Sequence, residues 1–215
     1  MAEWADGSLF RTTVAINFRP EAIGAFMSQL SAEEVVAFQA DRAALIGDAP
    51  MVSVPPDAAI SAFNAYLAQL EASLDQPFLY GDAPSIADFS VYHCLWFVDQ
   101  NPINAVLLEP FAEVRAWMAR VADFGHGDVT DATGEEALAH ALATEPVLPE
   151  MDSIPIPGIE PGSAVTVTPT DYGRIPVSGT LAGVSSSEIV LERASPETGP
   201  VMTHFPNIGF HIAKA

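Results

Sequence analysis

The 215-residue chain carries 28 acidic against 8 basic residues, a formal net charge of −20, and 49% of its residues are apolar. Such a charge repels phosphate backbones and anionic lipid surfaces, so neither nucleic acid nor a membrane is an expected partner. The single cysteine, Cys94, excludes an intrachain disulfide, a cysteine zinc cluster and a CxxC redox pair, and no apolar run approaches the length of a membrane span.

The start, Met1-Ala2-Glu3-Trp4, lacks the basic segment and short hydrophobic stretch of a secretion signal, which makes the cytoplasm the expected location. From Ala2 to Phe18, apolar residues at Trp4, Leu9, Phe10, Val14, Ile16 and Phe18 follow helical spacing, with Gly7 as a weak point and no visible cap. Pro20 opens a second helix toward Leu30. Ser31 and Glu34 form a capping box for a third, closed by Gly47. Met51 to Pro56 reads as an extended loop. Asp57 is expected to cap a strongly periodic helix with Ile60, Phe63, Leu67, Leu70 and Leu74 on one face. Further helices are expected over 86–98 and over 110–124, the latter with Val114, Trp117, Met118 and Val121 inward. Thr133 and Glu136 box the start of a short helix ending near Thr144.

Five prolines between Pro146 and Pro161 exclude regular helix and mark a linker. Beyond it, five short Val-, Ile- and Thr-rich runs begin at Ala164, Ile175, Glu188, Val201 and Gly209, and predict a small antiparallel meander that curls into a barrel or leans on the helices.

The most informative string is Pro77-Phe78-Leu79-Tyr80-Gly81-Asp82-Ala83-Pro84-Ser85-Ile86-Ala87-Asp88-Phe89. Ser85 and Asp88 are spaced to satisfy each other's backbone amides at a helix start. With the long amphipathic helix before it and the Trp117 helix after it, this string resembles the buried capping-box helix of the carboxy-terminal domain of glutathione transferases. The implied fold is mainly α: a transferase-like helical bundle over residues 1–145, a proline-rich linker over 146–162 and a small β domain over 163–215. Ser85 and Asp88 would then be structural. The resemblance further implies that the first helix and the motif-bearing helix line the pocket for a hydrophobic electrophile, nominating Trp4, Phe10, Arg11, Tyr92 and Trp96. Packing in the bundle interior is the alternative for each aromatic. His126, between Gly125 and Gly127, either donates to a ligand or caps the preceding helix.

Glutathione is the implied cofactor and a homodimer the implied assembly. The family's thioredoxin-like half, which activates the thiol, cannot be placed in this sequence. The chain is therefore expected to be truncated or a free-standing helical module, with little turnover of its own. The competing reading is a non-catalytic small-molecule-binding or protein-interaction module, and a glutathione-dependent isomerase is not separated from a transferase by these residues. Cys94 reads as a small buried hydrophobe, His93, His140, His204 and His211 have no metal-ligand spacing, and Ser185 to Ser187 sit in a hairpin turn without a GxSxG elbow.

Overall fold

The structure is a computed structural model that describes residues 1–47, 54–148, 151 and 154–215. The first half of the loop expected at Met51 to Pro56, and Pro149 of the linker, lie outside the described residues. Helix accounts for 46% of the chain and strand for 19%, so the description "mainly α" holds only loosely. Two compact units are present: Met1–Phe38 with Val52–Val129, and Gln39–Met51 with Thr130–Ala215.

The first unit is a helical bundle. Its opening segment is α1 (Ala2–Trp4), a π-helical turn (Ala5–Leu9) and α2 (Phe10–Asn17), followed by α3 (Pro20–Met27) and the first part of α4 (Ala32–Ile46). Next come α5 (Pro56–Ser73), α6 (Ile86–Asp99), a short 3₁₀ turn (Ala105–Leu107) and α7 (Ala112–Ala122). Phe63, Leu67, Val91, Cys94, Leu95, Val98, Val114 and Trp117 are fully buried, so α5, α6 and α7 meet in one core that also takes Ala5, Leu9 and Ile16 from the opening segment. The continuous helix expected over Ala2–Phe18 is interrupted at the weak point Gly7. There the Phe10 amide bonds to the Ala5 carbonyl five residues back, the wide turn of a π-bulge.

Asp57 is not the cap of α5. The cap position is Pro55, and Pro56 fills the first helical turn, where its missing N–H costs nothing. Asp57 stands one residue later, where its charge favours the positive end of the helix. α7 starts two residues later than expected, on a cap from another helix: the Glu71 carboxylate accepts from the Glu113 and Val114 amides at 3.1 and 2.9 Å.

At the start of α6 the capping box forms, and it is part of a larger network. Asp88 is fully buried. Its Oδ2 accepts from the amide and the hydroxyl of Ser85, both at 2.8 Å, and its Oδ1 accepts from the Leu79 amide at 2.8 Å and Trp117 Nε1 at 3.0 Å. Arg120, one turn beyond Trp117, donates from Nε to the Pro77 carbonyl at 2.9 Å. The motif loop is thus clamped by α7. Gly81 closes its tight Phe78–Gly81 turn at φ 126°, a conformation open to glycine. Burial by itself would raise the Asp88 pKa, but the bonds from Leu79, Trp117 and Ser85 outweigh it and hold the carboxyl below its ordinary value. A second buried polar chain runs from Arg19 Nη2 to Asn104 Oδ1 (2.7 Å), from Asn104 Nδ2 to Asn17 Oδ1 (2.6 Å), and from Asn17 Nδ2 to the Phe97 carbonyl (2.7 Å).

The second unit contains α8 (Gly134–Ala143), which starts on the Thr133–Glu136 capping box, and the antiparallel strands β1 (Ala164–Pro169), β2 (Val177–Val184), β3 (Glu188–Ser195), β4 (Gly199–Pro206) and β5 (Phe210–Lys214). By contact α8 groups with the sheet. The second strand starts later than expected, beyond Pro176, and runs on through a bulge between Leu181 and Gly183. The sheet departs from a simple meander: its order is β4-β3-β2-β1-β5, so the last strand pairs with the first. β4 and β5 are consecutive in the chain, joined by residues 207–209, yet they lie at opposite ends of the ladder. A flat five-stranded sheet would separate its edge strands by about 19 Å, more than the roughly 14 Å that so short a connection spans. The sheet must therefore curl, and the bulge supplies local bend. The rings of Phe205 and Phe210 meet across this corner at 5.5 Å, over a core of Val165, Val167, Leu181, Val184, Ile189 and Leu191.

Two outcomes follow. Asp88→Ala strands the Leu79 and Ser85 amides and the Trp117 indole, and is expected to cost about 3 kcal/mol or more in denaturant unfolding. Because the folded-state pKa is lowered, the stabilisation is present above the unfolded carboxyl value, about 3.9, and is lost as pH falls through the folded value; the gap between wild type and the variant should narrow in acid. In the sheet, a Cβ on Gly179 would meet Arg193 Cγ and the Glu192 carbonyl oxygen at 2.9 Å. Gly179→Ala should therefore destabilise by about 1–3 kcal/mol, measured as a lowered thermal midpoint.

Candidate functional site

The face nominated by the sequence is built from the opening segment and α6. Trp4 is 41% exposed, and its ring lies 5.0 Å from Tyr66 of α5, tilted by 51°. Phe10, half-buried, sits between His93 at 5.8 Å and Phe97 at 6.2 Å, both on α6. Tyr92 packs partly against the core, whereas Trp96 stays 46% exposed. Arg11 is exposed and makes no hydrogen bond or ion pair with the described residues; its Nη2 lies 3.8 Å from where a Cβ on Gly7 would stand, so the guanidinium folds back along the π-turn.

His126 is not brought into contact with these residues. It is exposed in the loop after α7, and it does not cap the helix either. Backbone amides of Asp123, Phe124 and Gly125 close the last turn, with Gly125 at φ 60°. Phe124 anchors this loop by ring contacts with Phe78 and Phe89.

Between the π-turn and α6 lies a polar seam that the sequence did not single out. Asp6 faces Ser90 Oγ at 3.3 Å and His93 Nδ1 at 3.8 Å, His93 Nε2 is 3.6 Å from Cys94 Sγ, and that thiol donates to the Ala5 carbonyl at 3.5 Å. On paper Asp6, His93 and Cys94 stand in the order of an acid–histidine–thiol relay. The environment argues against that chemistry. Cys94 is fully buried, and burial, with the nearby Asp6 charge, pushes its thiol up to about 12. A thiol so placed holds its proton at neutral pH and is no nucleophile. The Tyr66 hydroxyl is likewise buried, with no hydrogen-bond partner among the described residues. Burial first, then Cys94 and Tyr80, push its pKa above the ordinary phenol value. Nothing in the sequence singles out Tyr66 or pairs it with Trp4. Among the described residues no group of three His, Cys, Asp or Glu side chains could hold a metal ion.

The bundle, with its central helix set on a buried carboxylate cap, is similar to the carboxy-terminal helical domain of glutathione transferases. Residues 37–120 match the family model described as "Glutathione S-transferase, C-terminal domain". A GST-like protein from Pseudomonas syringae is similar in structure across 100% of this chain, with a TM-score of 0.72 and 32% sequence identity; the chain spans 66% of that protein's length. No curated protein matches the sequence. No helix among the described residues is long and apolar enough to cross a membrane.

If Cys94 is a silent core thiol, Ellman's reagent should leave it unmodified in the native chain for as long as the fold persists, with one thiol per chain released in denaturant. Rapid labelling of the native protein would contradict the assignment.

Proposed function

We propose that the helical unit forms the hydrophobic co-substrate side of a glutathione conjugation site, the reading supported above all by the exposed rings of Trp4 and Trp96 and by the exposed Arg11, which has no hydrogen-bond or ion-pair partner among the described residues. An electrophile with an aromatic ring would stack on Trp96 and Trp4, while Arg11 would offer its guanidinium to an electron-rich substituent such as a nitro group. Holding the acceptor in place supplies the positioning part of the rate. Lowering the glutathione thiol's pKa is a separate task, and neither Cys94 nor Tyr66 is suited to it. That group would come from outside these 215 residues, so this chain on its own should bind the electrophile but show little or no conjugation. The face accounts for a hydrophobic electrophile as the small-molecule partner. A homodimer and a cytoplasmic setting accord with this reading by family likeness.

The test pairs two titrations of the purified chain. Glutathione should give no calorimetric heat up to millimolar concentration. 1-Chloro-2,4-dinitrobenzene should quench tryptophan fluorescence saturably, with the quenching weakened severalfold in Trp96→Ala and in Arg11→Ala. Saturable one-to-one glutathione binding would overturn the division of labour. Linear, non-saturating quenching unchanged in both variants would remove the aromatic face as the electrophile site.

A further inference from the structure

A separate groove lies within the strand-bearing unit, where α8 rests against β4. The register of β3 and β4 puts Thr203 and Phe205 opposite Leu191 and Ile189 of the sheet core, so the alternate residues Met202 and His204 face the other way. At the start of β4, Leu142 of α8 approaches within 3.4 Å of where a Cβ on Gly199 would stand. Between the helix and the strand runs an open surface groove of about 330 Å³, lined by Pro146, Val147, Pro200 and Met202, with His140 and His204 as its imidazoles. That volume matches the lower end of small-molecule sites, which pair apolar walls with a few fixed polar groups.

The polar group here is oriented. His204 Nδ1 lies 2.9 Å from Glu188 Oε2. A carboxylate only accepts, so Nδ1 carries a proton, and whenever the ring is neutral Nε2 is an acceptor strengthened by the negative charge behind it. A ligand matched to such a group donates a hydrogen bond. The walls of proline, valine and a methionine thioether favour a flat aromatic ring. Glu188 and the net charge of −20 oppose an anion.

We propose that this groove binds a neutral phenol, its ring held between the Pro146–Val147 and Pro200–Met202 walls and its hydroxyl donating to Nε2 of His204. The site is independent of the helical face and of any glutathione chemistry there.

The experiment compares 2-naphthol with 2-naphthoate by calorimetric titration into the full chain. Naphthol should bind saturably at one per chain, and naphthoate about tenfold or more weaker. His204→Phe keeps the apolar volume and removes the acceptor, so naphthol should weaken about tenfold, the loss of one hydrogen bond. Val147→Trp fills the groove and should abolish binding of both. Far-UV circular dichroism checks that each variant retains its sheet. Should His204→Phe fail to fold, Glu188→Gln serves instead, because removing the charge should narrow the naphthol-to-naphthoate ratio by weakening the first and strengthening the second. The proposal is overturned by an absence of saturable naphthol binding, by equal affinity for the two ligands, or by naphthol binding that is unchanged in the folded variants.

Discussion

The helical unit hangs on one carboxylate. Asp88 is fully buried, and a charge taken out of water without compensation would be expelled or neutralised. Here four donors from three stretches of chain converge on it: the Leu79 amide in the motif loop, the amide and hydroxyl of Ser85 at the helix start, and the Trp117 indole from α7. Ordinary caps settle the end of one helix. This one also fixes where the neighbouring helix and the preceding loop must be, because moving either would leave a buried donor or lone pair unmet. The rotation of α6 about its own axis follows. With Val91, Cys94, Leu95 and Val98 turned to the core and Tyr92 partly packed against it, His93 and Trp96 are left on the exposed flank. The aromatic face is a geometric consequence of the cap.

The sheet is held by a different kind of constraint. Its strands pair mostly with their sequence neighbours, a local and cheap arrangement, but the β5–β1 pairing turns a meander into a curled sheet. Closure comes from chain length: residues 207–209 are too few to cross a flat sheet, so the ladder bends until its ends approach. Curling also leaves an outer convex side, and the Met202–His204 side of β4 is where α8 settles.

What could be read from the sequence divides along the range of the interactions. The Ser85–Asp88, Ser31–Glu34 and Thr133–Glu136 boxes span three residues each and were visible as spacing. The apolar faces of α5 and α7 were visible as period. Asp57 misled because a proline at the first turn makes a side-chain cap unnecessary, a trade between two local signals. Nothing local announces that Trp117 would complete the Asp88 network, that Asn17 and Asn104 would join across the bundle, or that Glu71 would cap α7. These partners lie tens of residues apart, and only packing brings them together. The π-turn at Ala5–Leu9 is of the same kind. Gly7 marked a weakness in the helix, but the extra residue in the turn is settled by Ala5 and Leu9 both reaching the core, with the Ala5 carbonyl beside the Cys94 thiol. Trp4, Phe10 and Trp96 were nominated by the family resemblance, which assigns the first and motif-bearing helices to the pocket, and not by any local signal of their own. Tyr66, Asp6 and His93 were not, since their part depends on which helices become neighbours.

The same packing that makes the face suited to binding deprives it of thiol chemistry. A protein lowers a thiol's pKa with a positive helix end, a nearby cation or a hydrogen-bond donor. The positive end of α6 is already taken by Asp88, which neutralises it from within. Tyr66, the phenol nearest Trp4 in ring contact, is buried and pushed further from ionisation. Cys94 has its proton held by burial and by the Asp6 charge. Each of these groups has been used to secure the fold at the cost of its reactivity, and Arg11, exposed at the rim, is the kind of group left over to meet a ligand. On the proposed reading, such a bundle would stabilise an acceptor and leave the activation of a nucleophile to another group.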